Sequence, residues 1–124
     1  MITIGETRYK GRGVFAQREI PAGALIEEGP VVVVPTEQIE HLNQTTLTNY
    51  YFLWGPDETE AALLLGSCSL CNHSYDPNAT FVLKPEQLTI AFFARRTIAA
   101  GEEITINYNG DPQENAPIWF RTAP

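Results

Sequence analysis

The chain is poor in cysteine, in methionine and in basic side chains. Its 124 residues contain two cysteines, one methionine and eight Lys and Arg against fifteen Asp and Glu, which gives a net charge of −7. Non-specific binding to nucleic-acid phosphates needs Lys and Arg, so we expect no direct nucleic-acid binding. No apolar run approaches the length needed to cross a bilayer, so no membrane partner is expected.

The two cysteines form one C-x-x-C pair, Cys68 and Cys71. One such pair without a second is weak evidence for zinc, and no thioredoxin-like βαβ pattern surrounds it. We therefore expect buried thiols rather than a metal or redox site. So few cysteines, without a signal peptide, indicate a reducing interior and a protein that is not secreted.

The basic residues are also unevenly distributed. No Lys or Arg occurs from residue 19 to residue 83, a stretch that carries nine Asp and Glu. Two interpretations stay open, a solvated acidic surface and an electrostatic guide for a cationic substrate. Both favour a basic partner over an acidic one.

Short strand-like runs separated by Pro and Gly predict a mainly β chain. These runs are Val14–Ala16, Leu25–Glu28, Val31–Val34, Phe81–Leu83, Leu88–Ala94 and Ile104–Tyr108. Helix is scarce: Thr36–Leu42 is predicted as a short helix capped by Thr36, and Ala61–Leu65 as a further turn or two.

One segment of the chain is similar to another. Arg18–Ile26 matches Arg96–Ile104 at Arg, Ile, Ala, Gly and Ile. In both, a glycine follows a strand end and precedes a new strand, as in a turn that needs a positive φ. The similarity predicts two related β-hairpin units, since two copies are too few for a solenoid.

Three polar segments are candidates for chemistry. Gly11-Arg12-Gly13 allows either a tight turn or a close approach to a ligand. Asn72-His73-Ser74, with Pro77-Asn78, gathers donors and acceptors, although a lone His is more often structural. Tyr50, Tyr51 and Tyr108 either complete a β core or line a pocket that holds an amine.

Taken together and in this order, the segments resemble the motifs of the SET-domain protein lysine methyltransferases. Gly11–Ala16 is similar to the opening motif, Asn72–Asn78 to the central motif, and Gly101–Tyr108 to the last one. The compact form resembles stand-alone viral and bacterial members. The resemblance implies a β-clip-like SET fold of small sheets, with a threaded pseudoknot that joins the last two motifs. It places the domain at residues 1–110.

The resemblance also implies S-adenosylmethionine as the cofactor and residue roles by position. Tyr108 matches the catalytic tyrosine, and Tyr50 matches, less closely, a tyrosine at the methyl-transfer channel. The expected cofactor contacts are Lys10, Gly11, Arg12, Asn72 and His73. The expected channel residues are Tyr51, Phe81 and Ile106.

Two departures from the family pattern concern the end of the chain. The central motif often carries Cys after Asn-His-Ser, where this chain has Tyr75, and no cysteine follows Tyr108. We therefore expect no zinc. The tail at 111–124 is expected to close the cofactor site with Trp119 and Phe120. The alternative for Trp119 is that it serves only as a hydrophobic anchor of the tail.

The leading hypothesis is methyl transfer to the lysine ε-amine of a basic protein, a histone or a histone-like protein. The alternative is a SET-like module that binds a basic peptide with little turnover. A purely structural β domain leaves the ordered polar motifs unexplained. A homodimer is expected by similarity to viral relatives, and the location is expected to be cytoplasmic if the source is bacterial, and nuclear or host-nuclear if it is eukaryotic or viral.

Overall fold

The computed structural model describes residues 1–111 and 113, and strands dominate it. The strands are β1 Ile2–Glu6, β2 Arg12–Ala16, β3 Leu25–Val34, β4 Tyr51–Trp54, β5 Glu60–Leu64, β6 Asn72–His73, β7 Ala79–Lys84, β8 Thr89–Ala94 and β9 Glu103–Ile106. The helical elements are the 3-10 helices Thr36–Gln38, Thr46–Asn49 and Ser67–Leu70, and the α-helix α1, Ile39–Leu42.

The strands form two small sheets. One has the order β1-β2-β9-β6 and the other the order β4-β5-β3-β8-β7. Neighbouring strands are antiparallel except β6 and β9, which run parallel and pair Asn72 with Thr105 and His73 with Ile106. This pairing joins the central motif to the last one. The predicted mainly β fold of small sheets is confirmed.

A single cluster of buried side chains draws on both sheets. Val14 and Ile104 come from the first sheet, Ile90 and Phe92 from the second, and all four are fully buried. Phe92 also meets two neighbouring rings, and Phe52 and Phe81 pack edge-on with centroids 5.1 Å apart. Burying one such side chain is worth about 2 kcal/mol, so the core fixes how the sheets meet.

The two similar segments lie side by side and are joined by an antiparallel bridge. Ile20 and Ile98 exchange both backbone hydrogen bonds, each 2.8 Å long. Each is fully buried. The two units, Arg18–Ile26 and Arg96–Ile104, are related and are each other's neighbours. The prediction that each is a β-hairpin is wrong, because β2 does not pair with β3 and β8 does not pair with β9.

The glycines of the two units make equivalent bonds. The Gly23 N–H donates to the Ala94 carbonyl over 2.8 Å, and the Gly101 N–H donates to the Ala16 carbonyl over 2.7 Å. Their φ angles are 84° and 85°, in the left-handed region that favours glycine. Each unit therefore closes its turn against the strand that leads into the other unit.

The helix predicted at Ala61–Leu65 is wrong, because Ala61–Leu64 belong to β5 and Leu65 follows the strand. This strand lies between β3 and β4, and Ala62 pairs with Val33 on one side and with Phe52 on the other. When a short run is apolar at every position, the spacing of its apolar residues does not distinguish a strand from a helix. Only the two neighbouring strands decide its conformation.

Two smaller predictions also need correction. Thr36 does not cap a helix, because its hydroxyl donates to the Thr59 carbonyl, 2.9 Å away, and the helix begins as a 3-10 turn. Leu25–Glu28 and Val31–Val34 are one strand, β3, that passes through Pro30. The Pro30 carbonyl still accepts a hydrogen bond from the Leu65 N–H.

Candidate active site

Asn78 fixes the strand that carries the last motif. Its side chain is almost completely buried. Its Nδ2 donates to the Glu103 carbonyl over 2.7 Å, and the Thr105 N–H donates to its Oδ1 over 2.9 Å. The side-chain amide thus pairs with β9 as a neighbouring strand would, and it holds Glu103 in place.

Glu103 brings three predicted cofactor residues together. Asn72, on β6, donates from Nδ2 to the Glu103 carboxylate over 2.8 Å and to the Arg12 carbonyl over 3.0 Å. The Lys10 ammonium lies 2.9 Å from the other carboxylate oxygen of Glu103. The opening, central and last motifs therefore meet at one partly buried carboxylate.

The two glycines of the Gly-Arg-Gly segment have different roles, and the tight-turn interpretation applies to Gly11. Gly11 has a φ of 75° and closes a turn, and the Thr7 N–H donates to its carbonyl. A Cβ on Gly13 would lie 2.6 Å from a Glu103 carboxylate oxygen and 2.9 Å from the Asn72 amide nitrogen. Gly13 is therefore required by the close approach of these two side chains.

Tyr108 is held at both ends. Its backbone N–H donates to His73 Nδ1 over 3.0 Å, and its hydroxyl donates to the Cys71 carbonyl over 2.6 Å. The rings of His73 and Tyr108 also contact each other, with centroids 5.2 Å apart. The hydroxyl proton is therefore directed at the Cys71 carbonyl, which fixes the orientation of the phenol oxygen.

The Cys71 carbonyl is positioned by a carboxylate beneath it. Glu27 accepts from the backbone N–H groups of Ser67 and Cys68, over 3.2 and 2.8 Å, at the start of the 3-10 helix that leads to Cys71. A Cβ on Gly66 would lie 2.7 Å from this carboxylate. The tyrosine is therefore anchored, through this short turn, to β3.

The ionisation of the site keeps both rings neutral. Burial, followed by the charge of Lys10, lowers the pKa of His73 below its usual value. Burial, followed by the groups Cys71, Tyr50 and Glu103, raises the pKa of Tyr108 above its usual range. Tyr108 is therefore a neutral hydrogen-bonding group and not a strong base.

His73 leaves one buried atom unsatisfied. Its Nδ1 accepts from Tyr108, so the ring proton is on Nε2. Nε2 is buried and has no hydrogen-bond partner among the described residues, although the ring meets Tyr75 edge-on. A buried N–H without a partner is costly, and a bound molecule would relieve that cost.

A cavity of about 560 Å³ opens beside Tyr108. It is lined by Tyr108 and by the other predicted catalytic and channel residues: Tyr50, Tyr51, Phe81 and Ile106. The remaining lining residues are Asn43, Thr48, Asn49, Phe52, Leu53, Glu58, Ser69, Cys71, Leu83, Asn109 and Gly110. The structure thus collects the predicted channel residues, while their individual roles stay predictions.

The predicted cofactor residues lie outside the lining of this cavity. Lys10, Gly11, Arg12, Asn72 and His73 do not line it. They are connected to it through the hydrogen bond between His73 and Tyr108.

Comparison with known proteins decides the family. The profile of the SET domain matches residues 11–109. The chain belongs to the SET-domain family.

Its relatives include fungal SET-domain enzymes. A Schizosaccharomyces pombe histone-lysine N-methyltransferase, H3 lysine-37 specific, is 36% identical over 96% of this chain and 76% of its own length. A Saccharomyces cerevisiae histone-lysine N-methyltransferase, H3 lysine-36 specific, is 35% identical over 89% of this chain. The matched part is only 16% of the S. cerevisiae enzyme, so the two chains differ greatly in length.

Solved structures show the same SET fold. A candidate histone methyltransferase of Plasmodium falciparum superposes with a TM-score of 0.70 at 27% identity, over 90% of this chain and 99% of that one. A Chaetomium thermophilum Polycomb Repressive Complex 2 structure bound to S-adenosylmethionine gives a TM-score of 0.73 at 22% identity, over 86% of this chain and 15% of that one. The second likeness concerns the fold alone.

This SET-domain chain is a protein-lysine N-methyltransferase that takes its methyl group from S-adenosylmethionine. The residues present fit that cofactor, whose amino-acid end carries an ammonium and a carboxylate. Glu103 and Lys10 supply the complementary charges, the Asn72 amide lies between them and β2, and His73 offers its unpaired Nε2. These residues would hold the amino-acid end of the cofactor.

The expectations about cysteine and the tail have separate outcomes. Cys68 and Cys71 are free and buried, as predicted. The hydrogen bond to Cys71, followed by burial, raises the pKa of the Cys68 thiol, which disfavours the reactive thiolate.

Within residues 1–111 and 113, no group of three His, Cys, Asp or Glu could hold a metal, and no helix is long and apolar enough to cross a membrane. Trp119 and Phe120 lie outside the described residues.

Sequence reasoning missed three contributors to the SET-domain site. The sequence predicts no role for the Glu103 carboxylate, for the Asn78 side chain or for the Cys71 carbonyl. The signal for Asn78 is its place beside Pro77 in the central motif. The Cys71 contribution is a backbone carbonyl, for which the sequence carries no signal.

Proposed function

We propose that this SET-domain chain methylates lysine side chains of a histone. The observation that carries the proposal is the cavity in which the Tyr108 phenol, anchored at both ends, faces an aromatic wall. The fungal relatives support the substrate, since both are named for lysines of histone H3. The acidic balance of the chain, with a net charge of −7, suits a basic partner.

The cavity fits a lysine side chain in shape and chemistry. The four-carbon stem of the lysine packs against Tyr50, Tyr51 and Phe81. The faces of these rings also attract the lysine ammonium before it loses its proton. The amine then reaches the Tyr108 oxygen, which accepts one hydrogen bond from it. The packing of the stem and the hydrogen bond to Tyr108 together set the direction of the lone pair on the lysine nitrogen.

The bound cofactor supplies a methyl group on a positively charged sulfonium. That methyl needs little activation, so the contribution of the protein is to align the amine in line with it, by proximity and orientation. Asn72, Glu103 and Lys10 hold one reactant, and the cavity holds the other. Tyr108, between the two groups, stabilises the polar transition state.

The lysine must be neutral when it reacts. Tyr108 does not remove its proton, because burial keeps the pKa of the phenol high. A positive charge beside the amine lowers the pKa of the lysine, and an apolar wall adds to that effect. The proton therefore leaves to solvent before transfer.

A histone substrate supports a nuclear place of action. We also propose, from the resemblance to compact viral members, that the chain forms a homodimer, and that it does not bind nucleic acid directly. Size-exclusion chromatography with light scattering tests the first of these, and a binding titration with duplex DNA tests the second.

The decisive experiment compares two tyrosines of the same cavity. With core histones and methyl-labelled cofactor, Tyr108→Phe should lower kcat about 100-fold, because the amine loses the oxygen that aligns it with the methyl group. Tyr51→Phe, whose hydroxyl donates to Asn43 instead, should change kcat only about twofold. Equal rates for the two variants would remove Tyr108 from the mechanism. A wild type that binds cofactor but labels no lysine would favour the binding module instead.

A further inference from the structure

Glu58 lies on the rim of the SET-domain cavity, in the turn between β4 and β5. Its backbone N–H donates to the Gly55 carbonyl over 3.0 Å, which closes the turn, and its side chain is exposed. It lines the same cavity as Tyr108. A group in this position meets whatever part of a substrate surrounds the inserted lysine.

Among the described residues that line the cavity, only Glu58 carries a formal charge. It has no ion-pair partner within residues 1–111 and 113, whereas Glu103 and Glu28 each have a lysine within 3.2 Å. The surrounding sequence from residue 19 to residue 83 contains no Lys or Arg. Within the described part of the chain, the negative charge at the cavity rim is therefore not compensated.

This charge suits a residue next to the target lysine better than the target itself. The target amine must lose its proton, and a carboxylate beside it would stabilise the ammonium form and oppose the reaction. Tyr108 is half-buried, whereas Glu58 is exposed at the entrance. A neighbouring Lys or Arg keeps its charge throughout, so an ion pair with it costs the reaction nothing.

We propose that Glu58 is a specificity-determining residue that binds a Lys or Arg flanking the target lysine in the substrate. The inference rests on the proposed function and extends it, because it names a sequence feature of the substrate. Asp57, also exposed, adds to the negative potential of the same turn. The pairing would select among lysines of a basic protein and not merely attract that protein.

The test uses short synthetic peptides with one central lysine in which a single arginine is moved along the flanking positions. In matched peptides, glutamine or glutamate replaces the arginine. Binding is measured by fluorescence anisotropy with S-adenosylhomocysteine present, and kcat/KM for methylation is measured in parallel. At one flanking position the wild type should bind the arginine peptide about fivefold more tightly than the glutamine peptide, as one exposed ion pair allows.

The variants separate this pairing from general charge. Glu58→Gln keeps the size of the side chain and should abolish the difference between the two peptides, while Glu58→Arg should prefer the glutamate peptide. Glu40→Gln removes an equal, exposed charge from α1, outside the cavity lining, and should keep the wild-type preference.

Two results overturn the proposal. One is a wild type without any arginine preference, or without any peptide binding. The other is a preference that persists in Glu58→Gln. The binding measurement tests the role of Glu58 even if no methyl group is transferred. If the arginine preference depends on Glu58 but no lysine is methylated, Glu58 still determines binding specificity. The proposed enzyme function then fails.

Discussion

The two similar units share a backbone but differ in what they hold. In the first unit, Arg18–Ile26, the glycine turn leads from Ala24 into the long strand β3. In the second unit, Arg96–Ile104, the same turn leads into the short strand β9 of the site. Ile20 and Ile98 are bonded to each other, so the difference does not come from the scaffold.

Two side chains account for the difference. Where the first unit has Ala24 and Leu25, the second has Glu102 and Glu103. Hydrogen bonds from the Ala99 N–H and then from Asn78 lower the pKa of Glu102, so it stays a carboxylate that braces its own turn. Glu103 points the other way, to Asn72 and Lys10. The same turn therefore has a structural role in the first unit and supports the site in the second unit.

The largest effect is expected where the second unit has an anchor that the first lacks. Asn78→Ala should lower the free energy of unfolding by about 3 kcal/mol, because buried partners on β9 lose their hydrogen bonds. It should also weaken cofactor binding, since Glu103 loses its fixed position. Denaturant titration and calorimetry measure the two effects. A stable variant with weak cofactor binding would show that Asn78 is not structural.

A smaller effect should distinguish the units themselves. Gly23→Ala and Gly101→Ala each force a side chain into the left-handed region, with no atom within 4 Å of the new Cβ, so each should cost about 1 kcal/mol. Only Gly101→Ala should lower kcat, because strain there reaches Glu102 and Glu103. Thermal unfolding and methylation rates of the pair test this. Equal losses of kcat would mean that both turns support the site alike.

The smallest effect concerns pH. The folded chain holds the pKa of His73 below its usual value, so the unfolded chain binds the extra proton first as pH falls. Stability should be complete above the usual value of 6.5 and decrease as pH falls below it. His73→Gln, whose amide oxygen still accepts from Tyr108, should flatten this part of the curve. His41→Gln is the control, because His41 is exposed. A curve unchanged by His73→Gln would contradict the assignment.

Much of this arrangement was accessible from the sequence. The resemblance to the family implied that the distant residues Asn72 and Tyr108 are brought together, and the internal similarity predicted two related units. Polar residues and glycines at fixed spacing have few structural uses, which is why they are informative.

The remainder depends on contacts that no residue type signals. The strand at Ala61–Leu65 is decided by its neighbours β3 and β4, and the tyrosine hydroxyl is received by a main-chain carbonyl, at Cys71. These contacts are made by backbone atoms. Because the backbone is the same for every residue type, the sequence carries no signal for them.

The two-residue parallel pairing of β6 with β9 has a consequence for folding kinetics. Strand β9 also pairs with β2, near the other end of the domain, so neither contact is local. Contacts between remote segments form only after the chain has paid the entropy of closing large loops. The five-stranded sheet contains the local pairs β4–β5 and β7–β8, and its most remote pairing, β3 with β8, closes a shorter loop than β2 with β9. Methyl-transfer competence should therefore appear in the last kinetic phase of refolding, after most of the β structure has already formed.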